Sequence, residues 1–220
     1  MMKKFFVASL ILLIVSAIAL SYAHALSPLE IFESSVLNQV IKRSKLIVGM
    51  EAKYFPFEYA DKDGKLIGFD ADLANLIAKE LGVEIEIKDI EWTGLIPALQ
   101  SGKVDLIISG MTRTLERSKS VTFTDPYFET GLCVLLSKQK ASDVKEIQQI
   151  NASDRIIAVK TGTTGDLVAS KMFPKAQINR FKDESACARE VATARADAFI
   201  YDQLLLPSIT KKIRKPLLRF

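Results

Sequence analysis

The sequence predicts an α/β protein with largely parallel sheets, arranged as two lobes built on similar lines. Three observations lead there. Apolar runs of strand length alternate with amphipathic runs of helix length. The strand-like runs end in polar residues, as in "IISGMTRTLERSKSV", where Ile107 and Ile108 are followed at once by Ser109, Gly110, Thr112, Thr114 and Arg117. Two distant segments, "LQSGKVDLIISG" and "VATARADAFIYD", share one order: a helix end, a basic residue, an aspartate, an apolar strand and a polar end. With 220 residues, 49% hydrophobic and 25% charged, the chain is long and apolar enough to bury a core.

In chain order, the first apolar run spans residues 5 to 19, follows Lys3 and Lys4, and leads into "SYAHAL", where Ala23 and Ala25 form an A-x-A pattern. This is the pattern of a cleaved secretory leader over residues 1–25, shorter than the roughly 20 residues a membrane span needs. Ser27, Pro28 and Glu30 then suggest a capped start for one amphipathic helix through Phe32, Val36, Leu37, Val40 and Ile41. "KLIVGM" reads as a buried strand, and "FPFEYADKDGKLIGFD" as an extended pair turning at Asp61 to Gly64. Asp70 is the expected N-cap of a helix that stops at Gly82. "VEIEIK" alternates as a half-buried strand, and "LIPALQSG" is a short helix leading to the strand "VDLIIS". The second half continues with the strand "LCVLLS", a helix near Val144 to Ile150, the strand "IIAV", a helix from about Thr164, a strand near Ile178, a helix from Glu184 to Ala194, and the strand "DAFIY".

Charge and composition exclude several functions. The 30 basic and 26 acidic residues give +4, and loss of Lys3 and Lys4 with the leader gives 28 − 26 = +2, a balance that indicates no nucleic-acid partner. The single histidine, His24, precedes the expected cut. The mature chain therefore has no Ser-His-Asp or Cys-His catalysis and no histidine-ligated metal, and neither a metal nor a cofactor is expected. Cys133 and Cys187 would enter an oxidising compartment but lack a framework spacing, so two thiols are favoured over a disulfide.

In open α/β sheets ligands lie beyond the carboxyl ends of the strands. Those ends here supply Glu51 and Tyr54, then Ser109 to Arg117, then Thr163 and Thr164 in "KTGTTGD", then Asp202. Thr114 suits an N-cap with Arg117 at the third helical position. A cation there opposes the helix dipole by roughly 0.3–1 kcal/mol unless an anion binds beside it. A solvated surface arginine is the alternative. "TGTTGD" lacks the ending of a phosphate-binding loop and reads either as a capped turn or as a second anion-facing helix start. Asp202 reads either as a helix N-cap for "QLLLPSI" or as the counter-ion of an ammonium group.

The succession "LIVGMEAKYFPFEYADKDGKLIGFDADLANLIAKELG", "WTGLIPALQSGKVDLIISGMTRTLERSKSVTFTDPYF", "GTTGD" and "ADAFIYD" resembles the periplasmic amino-acid-binding proteins of ABC importers, solute-binding family 3. The resemblance implies a type II periplasmic-binding-protein fold, with lobe 1 in residues 26–131 and lobe 2 in residues 132–220. It also implies a chain that stops before its return to lobe 1. Such a protein is a monomer that takes a small-molecule ligand, an amino acid, between its lobes and delivers it to a membrane ABC permease. By the same resemblance Arg117 takes the α-carboxylate with Thr112 and Thr164, and Asp202 takes the ammonium with the Gly110 carbonyl and the Thr112 hydroxyl. Tyr54 and Trp92 pack on the ligand side chain, although core packing is the commoner fate of an aromatic residue. Glu51 stands where a polar or acidic residue reads the side chain. A carboxylate at the end of an aromatic slot suits a basic or polar amino acid over an acidic one, unless Glu51 turns away to pair with Lys53 or another surface cation. Two alternatives accompany this reading: a cyclohexadienyl dehydratase-like enzyme using Glu51 as its acid, and a truncated remnant that binds nothing.

Overall fold

The computed structural model describes residues 28–205 and the backbone of 218–219. The expected leader, His24 and Ser27 lie outside the described residues, as does most of the helix read at "QLLLPSI". The chain divides into two compact units, Met1–Lys45 and Leu46–Phe220.

The described part of the first unit holds two helices, α1 (Pro28–Ser34) and α2 (Val36–Lys42), where one was expected. The break falls at Ser35. Its backbone is extended and its side chain accepts from Asn38 N, so the hydroxyl caps a new helix instead of continuing the old one.

Among the described residues the second unit contains three sheets. Strands β1 (Lys45–Met50), β5 (Glu84–Asp89) and β6 (Leu106–Ile107) form one, in the order β5-β1-β6. Strands β2 (Lys53–Tyr54), β3 (Glu58–Ala60) and β4 (Leu66–Ile67) form a small antiparallel sheet. Asp61 organises its turn by accepting from the N–H groups of Asp63 and Lys65. The third sheet has the order β11-β7-β10-β8-β9, built from β7 (Leu132–Leu136), β8 (Ile156–Lys160), β9 (Gln177–Phe181), β10 (Ala198–Asp202) and β11 (Leu218–Arg219). Strands β8, β9 and β10 are mutually parallel, while β7 runs antiparallel to β10 and β11 antiparallel to β7.

The sequence echo has a structural counterpart. Asp105, just before β6, donates its N–H to Ile47 O and accepts from Ile47 N through its carboxylate. Asp197, just before β10, does the same with Ile156. Each aspartate thus locks the register of a parallel pair, β1 with β6 and β8 with β10. The same local device aligns two central pairs, and the carboxyl ends of all four strands carry the polar groups flagged above.

The five-stranded sheet is apolar on both faces. Phe199 and Tyr201 join Leu135, Cys187, Ala188 and Val191 in one cluster, while Ala198 and Ile200 join Leu136, Ile157, Val159, Ala169 and Phe173 in another. A strand buried on both faces has no reason to alternate, so "AFIY" is continuously nonpolar. Helices α6 (Thr164–Met172) and α7 (Glu184–Ala192) supply the residues that cover it. Cys133 packs against the first cluster, and the buried Cys187 thiol donates to Asp183 O.

Helix α6 approaches β10 so closely that a Cβ on Gly165 would lie 2.4 Å from Ile200 O, a backbone atom. Gly165→Ala is therefore expected to destabilise the protein by about 1–3 kcal/mol through displacement of α6. Urea unfolding measures it, and an unchanged midpoint would show that the contact yields without cost.

Several elements differ from expectation. Helix α3 (Phe69–Glu80) starts before Asp70, with Gly68 at its N-cap. The N–H groups of Phe69 and Asp70 donate to Pro56 O and Phe57 O, so the loop backbone performs the capping and leaves the Asp70 carboxylate for other partners. The short helix α4 (Leu95–Gln100) follows a 3₁₀ turn at Trp92–Gly94. "LERSKSV" gives only one helical turn, α5 (Leu115–Ser118), and the segment before Ile150 is a 3₁₀ turn, Ile147–Ile150. Strand β5 is half-buried along Ile85–Lys88 with no alternation.

Candidate functional site

The carboxyl ends of β1, β6, β8 and β10 converge on one crevice. Nine of the ten residues named from the sequence line it: Glu51, Tyr54, Trp92, Ser109, Gly110, Thr112, Thr163, Thr164 and Asp202. Glu58 and Tyr201, not anticipated, line it as well.

Arg117 stands just outside the lining. Thr114 caps its helical turn as expected, accepting from Arg117 N at 3.2 Å. The guanidinium is buried, with 7% of the residue exposed, which removes the surface-arginine alternative. It donates to Thr112 O at 2.7 Å, Gly162 O at 3.0 Å and Thr164 Oγ1 at 3.4 Å, and its Cζ lies 5.2 Å from the Trp92 ring centroid. Three of its five N–H groups are used in this way, leaving donors for an anion. Burial lowers its pKa and Asp202 opposes that shift, but an arginine remains charged.

Asp202 ends β10, with the Tyr54 hydroxyl beside it. Burial pushes its carboxyl pKa up, against the pull of Tyr54, Arg117 and Lys160. The crevice therefore has a guanidinium near one wall and a carboxylate on another, as a zwitterion requires. Thr163 follows the capped-turn alternative: it donates to Lys160 O at 2.8 Å and accepts from Asp166 N. Its hydroxyl caps α6, and Thr164 is the residue whose hydroxyl meets Arg117.

Glu51 has a partner that was not anticipated. It does not turn out to Lys53, which pairs with Glu91 instead. The Glu51 carboxylate accepts from Trp92 N at 3.3 Å and is ion-paired with Lys160, whose ammonium also donates to Glu184 at 3.2 Å. Glu51 is 3% exposed and Lys160 2%. Burial works against the Lys160 ammonium, but the two carboxylates outweigh it and hold its pKa above the ordinary lysine value. The signal for Lys160 was present, since it ends the apolar run "IIAV" as Ser109 ends "LII". Glu58 had no such marker, because it begins a three-residue strand instead of standing at the carboxyl end of a buried one. Arg113, next to Thr112, is exposed.

The model of bacterial extracellular solute-binding proteins, family 3, matches residues 46–147. The L-cystine-binding protein TcyJ of Escherichia coli (strain K12) is 29% identical over 199 residues, covering 90% of this chain and 74% of that protein. The arginine-binding extracellular protein ArtP of Bacillus subtilis (strain 168) is 36% identical over 168 residues, covering 74% of this chain and 63% of that protein. Among solved structures, the ancestral amino acid-binding protein AncCDT-1, a precursor of cyclohexadienyl dehydratase, superposes with a TM-score of 0.76 at 41% identity, covering 84% of this chain and 80% of that one.

Proposed function

Because this chain belongs to the bacterial extracellular solute-binding proteins, family 3, we propose that it binds a polar or basic L-amino acid in the crevice and delivers it to a membrane ABC permease from outside the cytoplasm. The observation that carries this reading is the pair Arg117, on α5 just outside the lining, and Asp202, at the end of β10 in the lining, opposite charges that act on one another. The α-carboxylate goes to the remaining Arg117 donors and the Thr112 and Thr164 hydroxyls, and the α-ammonium goes to Asp202 and the Gly110 carbonyl. Tyr54 and Trp92 flank the side chain. The leader pattern in residues 1–25 supports export, and residues 26–131 and 132–220 are the two lobes of one monomer.

Glu51, Glu184 and Lys160 together carry one net negative charge, which repels an acidic side chain more than a neutral or cationic one. Both Glu51 oxygens are already engaged, so this carboxyl supports reading a ligand tip better than it supports acting as the proton donor of a dehydratase.

Calorimetric titration with arginine, glutamine, cystine and glutamate tests the proposal. Arginine, glutamine or cystine is expected to bind at least tenfold more tightly than glutamate. Tighter binding of glutamate overturns the assigned ligand class, and no binding of any amino acid overturns the function.

A further inference from the structure

Beside the crevice, two carboxyl groups are packed together, and among the described residues no cation neutralises them. Glu58 is 1% exposed and Asp70 is 0%. Glu58 Oε1 accepts from Ser109 Oγ at 2.6 Å, and Asp70 Oδ2 accepts from Gly110 N at 2.8 Å and Tyr127 Oη at 2.9 Å. The other oxygen of each, Glu58 Oε2 and Asp70 Oδ1, is fully buried and receives no donor from any other described group. Each carboxyl group lies close enough to the other to act on its proton affinity. The groups that act on them are Glu51 after β1, Tyr54 on β2, Ser109 and Gly110 after β6, and Tyr127. None of these is a lysine or arginine.

We infer that Glu58 and Asp70 share one proton, and that this carboxyl pair is the positioning device for the Ser109–Gly110 edge of the crevice. Two carboxylates this deeply buried and adjacent cannot both ionise without a cation. A single proton removes the repulsion and supplies the missing donor, so that Glu58 Oε2–H donates to Asp70 Oδ1. The remaining oxygens then all accept. One takes the Ser109 hydroxyl, and the other takes Gly110 N at a residue whose φ is +53° and whose Cβ, if it had one, would lie 2.7 Å from the Tyr54 ring.

This arrangement dictates what Ser109 can do. Its hydroxyl proton is spent on Glu58, and one lone pair accepts from Glu51 N at 3.0 Å. Ser109 therefore offers the crevice only an acceptor. That consequence rests on the proposed ligand site, whereas the shared proton does not.

The pH dependence follows from the same pair. Burial, reinforced by Asp70, pushes the Glu58 carboxyl up to about 10 from 4.5. The folded chain thus holds a proton that the unfolded chain has lost, so stability present at low pH is lost progressively as the pH rises from 4.5 towards 10. Each pH unit lowers the folding equilibrium constant by up to about tenfold.

Glu58→Gln tests the inference, because its amide supplies a donor to Asp70 and an acceptor for Ser109 without any proton to lose. Urea unfolding of the wild type between pH 6 and 8.5 is expected to show the decline, and Glu58→Gln to lose at least half of it. An equal decline in both proteins overturns the proposal. Infrared spectroscopy of the wild type at pH 8 is independent of how the variant folds. A protonated-carboxyl C=O band that shifts on 13C-glutamate or 13C-aspartate labelling is expected, and its absence overturns the shared proton. Glutamine or arginine titration at pH 7 reads the ligand site separately. Loss of binding in the wild type would remove the proposed function and leave the proton pair standing.

Discussion

Asp202→Ala and Arg117→Ala are each expected to weaken amino-acid binding by more than a hundredfold. In each variant one end of the bound zwitterion is desolvated without its partner, a loss on the order of 3–5 kcal/mol. The two variants should differ in how they fail. Asp202 is a carboxylate at the end of a strand, with the Tyr54 hydroxyl beside it. Arg117 also holds Gly162 O and Thr112 O, so its removal leaves two carbonyls without their donor and should slow ligand association as well. Arg117→Lys should not rescue, since an ammonium cannot hold both carbonyls and still present a planar fork to a carboxylate. Calorimetry on folded variants decides it: affinity within tenfold of wild type in either alanine variant would place the ligand elsewhere.

Lys160→Met is expected to be the most damaging single change to stability. The ammonium is the cation between Glu51 and Glu184, whose side chains are 3% and 8% exposed. Removing it strands two carboxylates in the interior, at a cost of about 3–5 kcal/mol. For a chain of this size the thermal midpoint should fall by roughly 10 °C. Lys160→Met combined with Glu51→Gln should recover much of that loss, because breaking a buried pair costs more than replacing both partners. Additive losses in the double variant would show that the pair is not coupled. The same substitution should also shift the ligand preference towards arginine, which could then answer Glu51 in place of the lost ammonium.

Much of this fold was legible because it rests on local chemistry. Thr114 and Thr163 cap their helices from sequence signals that depend only on hydroxyls next to apolar periodicity. Strand ends were readable because a chain leaving a buried sheet must change from apolar to polar, which is why nine of the named residues fall around one crevice. Asp70 misled for the same reason. An aspartate before an apolar helix looks like a cap, and only the approach of the Pro56 and Phe57 carbonyls releases its carboxylate.

What the sequence by itself determined is the alternation of elements and the set of polar residues at strand ends. Its repeated aspartate before an apolar strand also carried the two-part architecture, because that carboxylate needs only the neighbouring parallel strand to act. Tertiary structure decided which charges meet. Glu51 and Lys160 are 109 positions apart, and Glu58 and Asp70 belong to a hairpin and a helix with no shared periodicity. No local pattern distinguishes a carboxylate facing water from one facing a buried ammonium or another carboxyl. Burial makes that difference by raising the energetic consequence of every unpaired charge, and burial is a property of the whole packed chain.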